Sequence, residues 1–153
     1  GTGGTVIVPY QTFDTSDGKP VCLAPGNDRL WARAAQVLGH PEWATDPKYA
    51  RSAARVKNKA ELLPMIAQAM ERKSRADWLE AFEKAGVPCA PVNDIGELAN
   101  TPQFAAAELV QELPGGGPKV VGLPITFDRV RPRSARPSPR LGEHTDEVLR
   151  SVE

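Results

Sequence analysis

The strongest candidate for chemistry is a histidine near the end of the chain. In "LGEHTDEVLRSVE", His144 lies between Glu143 and Asp146 and beside the hydroxyl of Thr145. Such a group could exchange protons with a substrate or help to hold a metal ion. It has no second histidine at the i, i+4 spacing of a metal-binding helix, and His40 is remote in sequence.

A plainer interpretation is that this stretch begins a helix. Thr145 is suited to be the N-cap, and Asp146 and Glu147 carry the charge that a helix N-terminus prefers. Neither Cys22 nor Cys89 has a spacing that pairs it with a histidine as a nucleophile or as part of a zinc site. We therefore assign no catalytic and no metal-ligating residue.

Two glycine-rich runs could contact a ligand through their backbone. "GTGG" holds Gly1, Gly3 and Gly4, and is either a flexible segment or a loop that approaches a phosphate or thioester. It follows no predicted strand and opens no helix, so it matches neither the dinucleotide nor the P-loop pattern. "PGGGP" at 114–118 is typical of a hairpin tip.

The composition excludes several classes of partner. Lys plus Arg and Asp plus Glu both number 19, so the 153-residue chain has no net charge to attract nucleic acid or an anionic membrane. The basic run at 129–140 carries no interleaved aromatic residues, which disfavours RNA binding. No apolar run approaches the ~20 residues of a membrane span. We expect a cytoplasmic protein with reduced thiols and no nucleic-acid or membrane partner.

The elements that position these residues are predicted from periodicity and caps. A β-hairpin is expected from Val6 to Leu23, with Gly18 in its turn. Helices are expected at 27–39, capped by Asn27 or Asp28; from 58, capped by its asparagine with Glu61; and at 74–86, capped by its serine. "VPCAPVND" is predicted to be an extended loop, because it contains two prolines.

The rest of the chain is predicted to hold two short helical pieces, the second capped by Thr101, and a second hairpin whose returning strand includes Ile125 and Phe127. The result is an α+β domain over 1–128. Residues 129–141 form an extended Pro/Arg-rich linker, and 142–153 begin a short C-terminal helix. From Arg131 onward we expect an arm that is mobile or held by a neighbouring molecule.

Four stretches taken together resemble one known family. They are "PYQTFDTSDGKPVCLAPGNDRLW", "HPEWATDPKYARSAARVKNKAEL", "AGVPCAPVNDIGEL" and "LGEHTDEVL". Their residues and order are similar to those of the class III CoA-transferases, also known as the carnitine dehydratase and bile-acid-inducible protein family. That family includes formyl-CoA transferases and α-methylacyl-CoA racemases.

The resemblance implies that this chain is one part of a longer protein. Family members are more than twice as long, with a Rossmann-like large domain, a small α+β domain and long linkers, and two chains interlock as a homodimer. This sequence is similar to the small domain with its returning linker. The large domain would be lacking.

The resemblance also implies a mechanism that this chain does not carry alone. In the transferases, an aspartate of the large domain attacks the acyl-CoA and forms a covalent intermediate, and CoA then passes to another carboxylic acid. None of the aspartates here matches that motif. Coenzyme A and acyl-CoA would be substrates of the full-length enzyme, and no metal is implied.

Two segments are placed by the resemblance near bound CoA. A mobile glycine-rich loop covers the acyl intermediate in formyl-CoA transferases, and Gly1, Gly3 and Gly4 fall about there. Some racemases have an acid where this chain has Asn27, and an amide favours a transferase. The main hypothesis is a CoA-transferase fragment inactive by itself; an α-methylacyl-CoA racemase or epimerase and a stand-alone interaction module stay open.

Overall fold

The computed structural model describes residues 2–152 and confirms the α+β fold of short antiparallel strands and helices. The chain forms two compact units. The first runs to Val92 and the second begins at Asn93.

The first unit contains a three-stranded antiparallel sheet. Its strands, in spatial order, are β1 (Gln11–Phe13), β2 (Val21–Leu23) and β3 (Cys89–Pro91). The predicted hairpin is confirmed with shorter strands, and Gly18 takes a left-handed φ of 69° in its turn.

The prediction of a loop at Cys89–Pro91 is wrong. These residues pair with β2, and Pro91 lies opposite Val21. The strand is at the edge of its sheet, where a proline can stand because the missing N–H faces away from the neighbouring strand.

Helices form much of the first unit, and two of the predicted caps are confirmed. Asn27 accepts a hydrogen bond from Leu30 N at 2.9 Å, and Ser74 Oγ accepts one from Asp77 N at 3.3 Å. Gly39, just past the first helix, has a φ of 83°. The helices are α1 (Asp28–Val37), a 3-10 turn (Pro41–Ala44), α2 (Ser52–Lys57), α3 (Lys59–Met70) and α4 (Arg75–Lys84).

The predicted side-chain cap at Asn58 is wrong. Its amide nitrogen instead donates to Lys48 O at 3.1 Å and to Ala54 O at 3.0 Å, so the side chain joins the preceding loop to the end of α2. Glu61, expected to complete the cap, accepts a hydrogen bond from Lys48 Nζ at 2.9 Å. Tertiary contacts have taken both side chains away from the helix start.

One apolar core holds the first unit together. Trp31 and Trp78 are almost completely buried, and their indole nitrogens donate to Trp43 O at 3.3 Å and to Met70 O at 2.7 Å. Each large side chain so buried stabilises the fold by roughly 2–3 kcal/mol. The core residues are Val8, Phe13, Val21, Leu23, Trp31, Ala34, Ala35, Leu38, Trp43, Tyr49, Leu62, Ile66, Ala69, Met70, Trp78, Phe82 and Val87.

The second unit contains the second predicted hairpin, now confirmed. The strands are β4 (Val110–Glu112) and β5 (Lys119–Val121), and the helices are α5 (Ile95–Ala99), α6 (Pro102–Ala106) and α7 (Thr145–Arg150). Thr101 caps α6 as predicted, accepting from Phe104 N at 3.2 Å. Ile125 and Phe127 lie outside β5, contrary to the prediction, because Phe127 pairs with Val130 in a separate tight turn.

The segment after Arg131 is bound to its own unit at first. Arg131 Nε donates to Ala107 O at 3.1 Å, and Arg133 Nη2 donates to Glu108 Oε2 at 2.6 Å. Arg131 and Arg133 therefore contact their own unit, and the expected mobility of the arm stays a prediction. Thr145 is the first residue of α7 and not its cap; His144 precedes it without a capping hydrogen bond, and α7 has no buried residue.

Candidate functional site

A groove beside the N-terminal glycines is the candidate site in the first unit. We name Thr2–Thr5 the glycine segment; it forms one wall, and the first turns of α3 form the other. The groove has a volume of about 520 Å³. Its lining residues are Gly3, Gly4, Thr5, Gln11, Lys59, Ala60, Leu63 and Pro64.

The glycine segment is held along the chain that leads into β1. Gly4 N donates to Tyr10 O at 2.8 Å. The hydroxyl of Thr2 accepts from Thr12 N at 3.2 Å and lies 2.8 Å from the hydroxyl of Thr12. The glycine segment thus runs alongside residues 10–12.

At two positions of the glycine segment, an added side chain would lie in tight contact with its neighbours. A Cβ on Gly3 would lie 3.0 Å from Gln11 Oε1, and a Cβ on Gly4 would lie 3.2 Å from Tyr10 Cδ1 and 3.3 Å from Ile7 O. Glycine fits best at Gly4, because the tight contact there includes a backbone oxygen, which moves aside less easily than the end of a side chain. The structure thus brings Gly3 and Gly4 of the predicted site together; Gly1 lies outside the described residues.

The groove has polar groups suited to an anion. Lys59 and Gln11 both line it, and Leu63 and Pro64 give it an apolar side. Within residues 2–152, Lys59 forms no ion pair, so its ammonium group is available to a ligand. A carboxylate or phosphate is the kind of group that an ammonium and an amide N–H bind.

Asn27, the other predicted site residue, is exposed and does not line this groove. Its side-chain oxygen is occupied by the cap of α1. Asp28, the next residue, accepts hydrogen bonds from Arg55 Nη2 at 3.1 Å and from Arg51 Nη1 at 3.4 Å. The orientation of Asn27 is therefore set by the hydrogen bond that it accepts from Leu30 N and by the two arginines that bind Asp28 beside it.

Arg55 connects the two parts of the predicted site. Its side chain is 0% exposed. Nε donates to Val8 O at 2.7 Å, in the chain between the glycine segment and β1, while Nη2 binds Asp28 beside Asn27. Nη1 donates to Tyr49 O at 2.9 Å and Ala50 O at 3.1 Å, so each of the three guanidinium nitrogens has a partner.

The charge of Arg55 stabilises the ionised form of Asp28. Burial acts to raise the pKa of Asp28, but the hydrogen bond and charge of Arg55 and the hydrogen bond from Arg51 outweigh it and hold that pKa below its ordinary value. The guanidinium also lies over the ring of Trp31, 5.2 Å from its centroid. Arg55 therefore positions the site and is not exposed to a ligand.

Nothing in the sequence pointed to Arg55. It lies before the helix predicted from residue 58, between the charged residues Arg51 and Lys57, and nothing in its spacing distinguishes it from them. Only the fold reveals which of the three side chains is enclosed, because enclosure depends on Val8 and Asp28, which are far away in sequence.

The histidine region shows no assembled chemistry. His144 Nδ1 lies 3.6 Å from Glu147 Oε2, and Glu143 accepts a hydrogen bond from Arg140 N at 2.6 Å. Over residues 2–152, no group of three or more His, Cys, Asp or Glu side chains is arranged to hold a metal ion. In the same range, no helix is long and apolar enough to cross a membrane.

Comparison with protein families identifies the class. The model of CoA-transferase family III matches residues 1–145, and the chain belongs to that family.

The relatives include enzymes with named activities. The chain is 34% identical over 155 aligned residues to succinyl-CoA:glutarate CoA-transferase of Homo sapiens, covering 99% of this chain and 35% of the human protein. It is 37% identical over 126 residues to formyl-CoA:oxalate CoA-transferase of Bradyrhizobium diazoefficiens, covering 80% of this chain and 29% of that protein.

A solved structure shows the same fold. A CAIB/BAIF family protein from Brucella suis superposes with a TM-score of 0.87 at 31% identity, over 100% of this chain and 40% of that one. The chain therefore spans about a third of the length of the curated relatives that it matches.

Proposed function

We propose that this chain is part of an acyl-CoA:carboxylate CoA-transferase, which moves coenzyme A from an acyl-CoA to a free carboxylic acid. Membership of CoA-transferase family III carries the proposal, and relatives named for succinyl-CoA, glutarate, formyl-CoA and oxalate support it. The substrates would accordingly be acyl-CoA and small carboxylic acids, with no metal required.

The proposed parent protein has the reacting carboxylate in a Rossmann-like large domain. That aspartate attacks the thioester carbonyl, the CoA thiolate leaves, and a mixed anhydride forms; the thiolate then attacks the aspartyl carbonyl and releases the first acid. The second acid reverses these steps and leaves as the new acyl-CoA. Residues 1–128 would be the small domain, 129–141 the linker and 142–153 the start of the helix that returns to the large domain.

The second unit supports a parent of this kind through its exposed apolar side chains. Val121 is 76% exposed, Phe127 66% and Val130 68%, and none of the hydrophobic side chains among residues 93–152 is fully buried. A surface of this composition favours contact with another protein surface. We propose that it contacts the large domain in a cytoplasmic, interlocked homodimer.

Gly1, Gly3, Gly4 and Asn27 are proposed to lie near bound CoA. A glycine backbone can approach an acyl group closely. The glycine segment would also keep water away from a covalent intermediate that water could hydrolyse. Lys59 in the adjoining groove would add a positive charge that favours acids. No residue of this chain is proposed to react.

The test is an assay of the full-length protein that contains this chain. With succinyl-CoA and a dicarboxylic acid, mass spectrometry should detect the new acyl-CoA in a one-to-one exchange, and the 153-residue chain alone should give none. Deuterium uptake at the α-carbon of a 2-methylacyl-CoA, without exchange of CoA, would instead establish a racemase or epimerase.

Two glycine-to-alanine substitutions in this chain, compared with each other, provide a control. Gly4→Ala should lower exchange because the new Cβ meets Ile7 O, whereas Gly26→Ala has open space and should not. Equal activity in the two variants would remove the glycine segment from the proposed site.

A further inference from the structure

Thr2 carries an interaction that neither the family match nor the glycines explain. Its hydroxyl contacts two groups of Thr12, the backbone N–H at 3.2 Å and the hydroxyl at 2.8 Å. Both residues lie near the surface, where hydrogen bonds compete with water and are individually weak. The pair can therefore form and break in the folded protein.

Besides the contacts of Thr2, a backbone hydrogen bond joins the segment to residues 10–12. It runs from Gly4 N to Tyr10 O and is 2.8 Å long. Gly3 and Gly4 contribute no side chain of their own, and glycine backbone has more conformational freedom than any other. Thr2 is thus the residue of the segment whose side chain fastens it.

We propose that Thr2 is a positioning residue: its hydroxyl latches the glycine segment onto Thr12 and so holds the segment in place as one wall of its groove. The inference rests on the proposed function for its role in catalysis. With the latch closed, the segment shields the acyl intermediate; with the latch open, water reaches the acyl carbonyl and releases the acid and free CoA, the products of hydrolysis, without transfer.

The latch itself is tested by amide hydrogen exchange on the 153-residue chain. In Thr2→Val, which removes the hydroxyl and keeps the shape, the Thr12 amide should exchange about tenfold faster, as expected for the loss of one or two weak hydrogen bonds. Thr2→Ser keeps the hydroxyl and should retain protection. The Val21 amide in the central strand β2 reports global stability and should not change.

The catalytic role is tested on the full-length enzyme. Thr2→Val should increase the ratio of hydrolysis to transfer several-fold while the KM for acyl-CoA changes little, and Thr2→Ser should restore the ratio. Unchanged protection of Thr12 in Thr2→Val would overturn the latch. Faster exchange with an unchanged ratio would overturn its role in shielding. Absence of CoA exchange in the wild-type enzyme would overturn the proposed function and leave the exchange result standing.

Discussion

Arg55 and Asp28 form an ion pair, 3.1 Å apart, in which the guanidinium is completely enclosed and the carboxylate is 36% exposed. The same carboxylate lies 3.4 Å from Arg51, whose side chain is 82% exposed. Two arginines thus pair with one carboxylate, one arginine buried and the other exposed to solvent. Their contributions to stability can therefore be measured separately.

Arg55→Met should strongly destabilise the first unit. Methionine fills part of the space but leaves the carbonyls of Val8, Tyr49 and Ala50 without donors and Asp28 without its buried partner. We expect the free energy of unfolding in urea to fall by about 3 kcal/mol. The control, Arg51→Met, should cost less than about 1 kcal/mol. Equal losses in the two variants would contradict the assigned role of Arg55.

Stability should fall in acid partly through Asp28. Its pKa is lower in the folded than in the unfolded protein, so its contribution is complete above about pH 4 and is lost as pH falls through the folded-state pKa. Asp28→Asn should be less stable at neutral pH and should lose less stability between about pH 5 and about pH 3 than the wild type. Urea titrations at each pH measure this; parallel curves would argue against the coupling to Arg55.

Gly122→Ala should displace Gln111. The added Cβ would lie 2.5 Å from Gln111 Nε2 and 2.8 Å from its Cδ, so the side chain must leave its buried position and its hydrogen bond to Pro132 O. We expect a loss of about 1 kcal/mol in thermal or urea unfolding of the second unit. In the Gln111→Ala background the same glycine substitution should cost little, and a simple sum of the two effects would show that the residues do not interact.

Cys89 should react slowly with alkylating agents. Burial raises the pKa of its thiol, and the negative charge of Glu83 acts in the same direction. Near neutral pH, iodoacetamide should modify Cys89 several-fold more slowly than the cysteine of an unfolded peptide, since the thiolate is the reactive form. Mass spectrometry of digests locates the label, with Cys89→Ser as reference. A rate equal to the peptide's would refute this.

The sequence predicted the elements whose signals are local. The turn at Gly18 and the caps at Asn27, Ser74 and Thr101 depend on residues within four positions of each other, and the structure has all of them. The two hairpins and the α+β class followed from these signals.

Long-range contacts account for what the sequence could not show. Cys89–Pro91 looks like a loop until β2 lies beside it, about 66–70 positions earlier in the chain. Asn58 has the right type for a cap, but Lys48 O competes for its amide. Arg55 resembles a surface arginine until Val8 and Asp28 enclose it. The glycine segment was recognised through its family resemblance, and its fastening by Thr2 only through the fold.

The position of the glycine segment also affects how the edge of the sheet meets other molecules. Thr12 N–H and Tyr10 O point away from β2 along the outer margin of the sheet, and they are the groups that Thr2 and Gly4 engage. On the opposite margin, Pro91 has no N–H to offer. An unoccupied strand margin recruits strands from other molecules. By engaging these groups, the glycine segment therefore covers a strand margin that would otherwise be open to self-association.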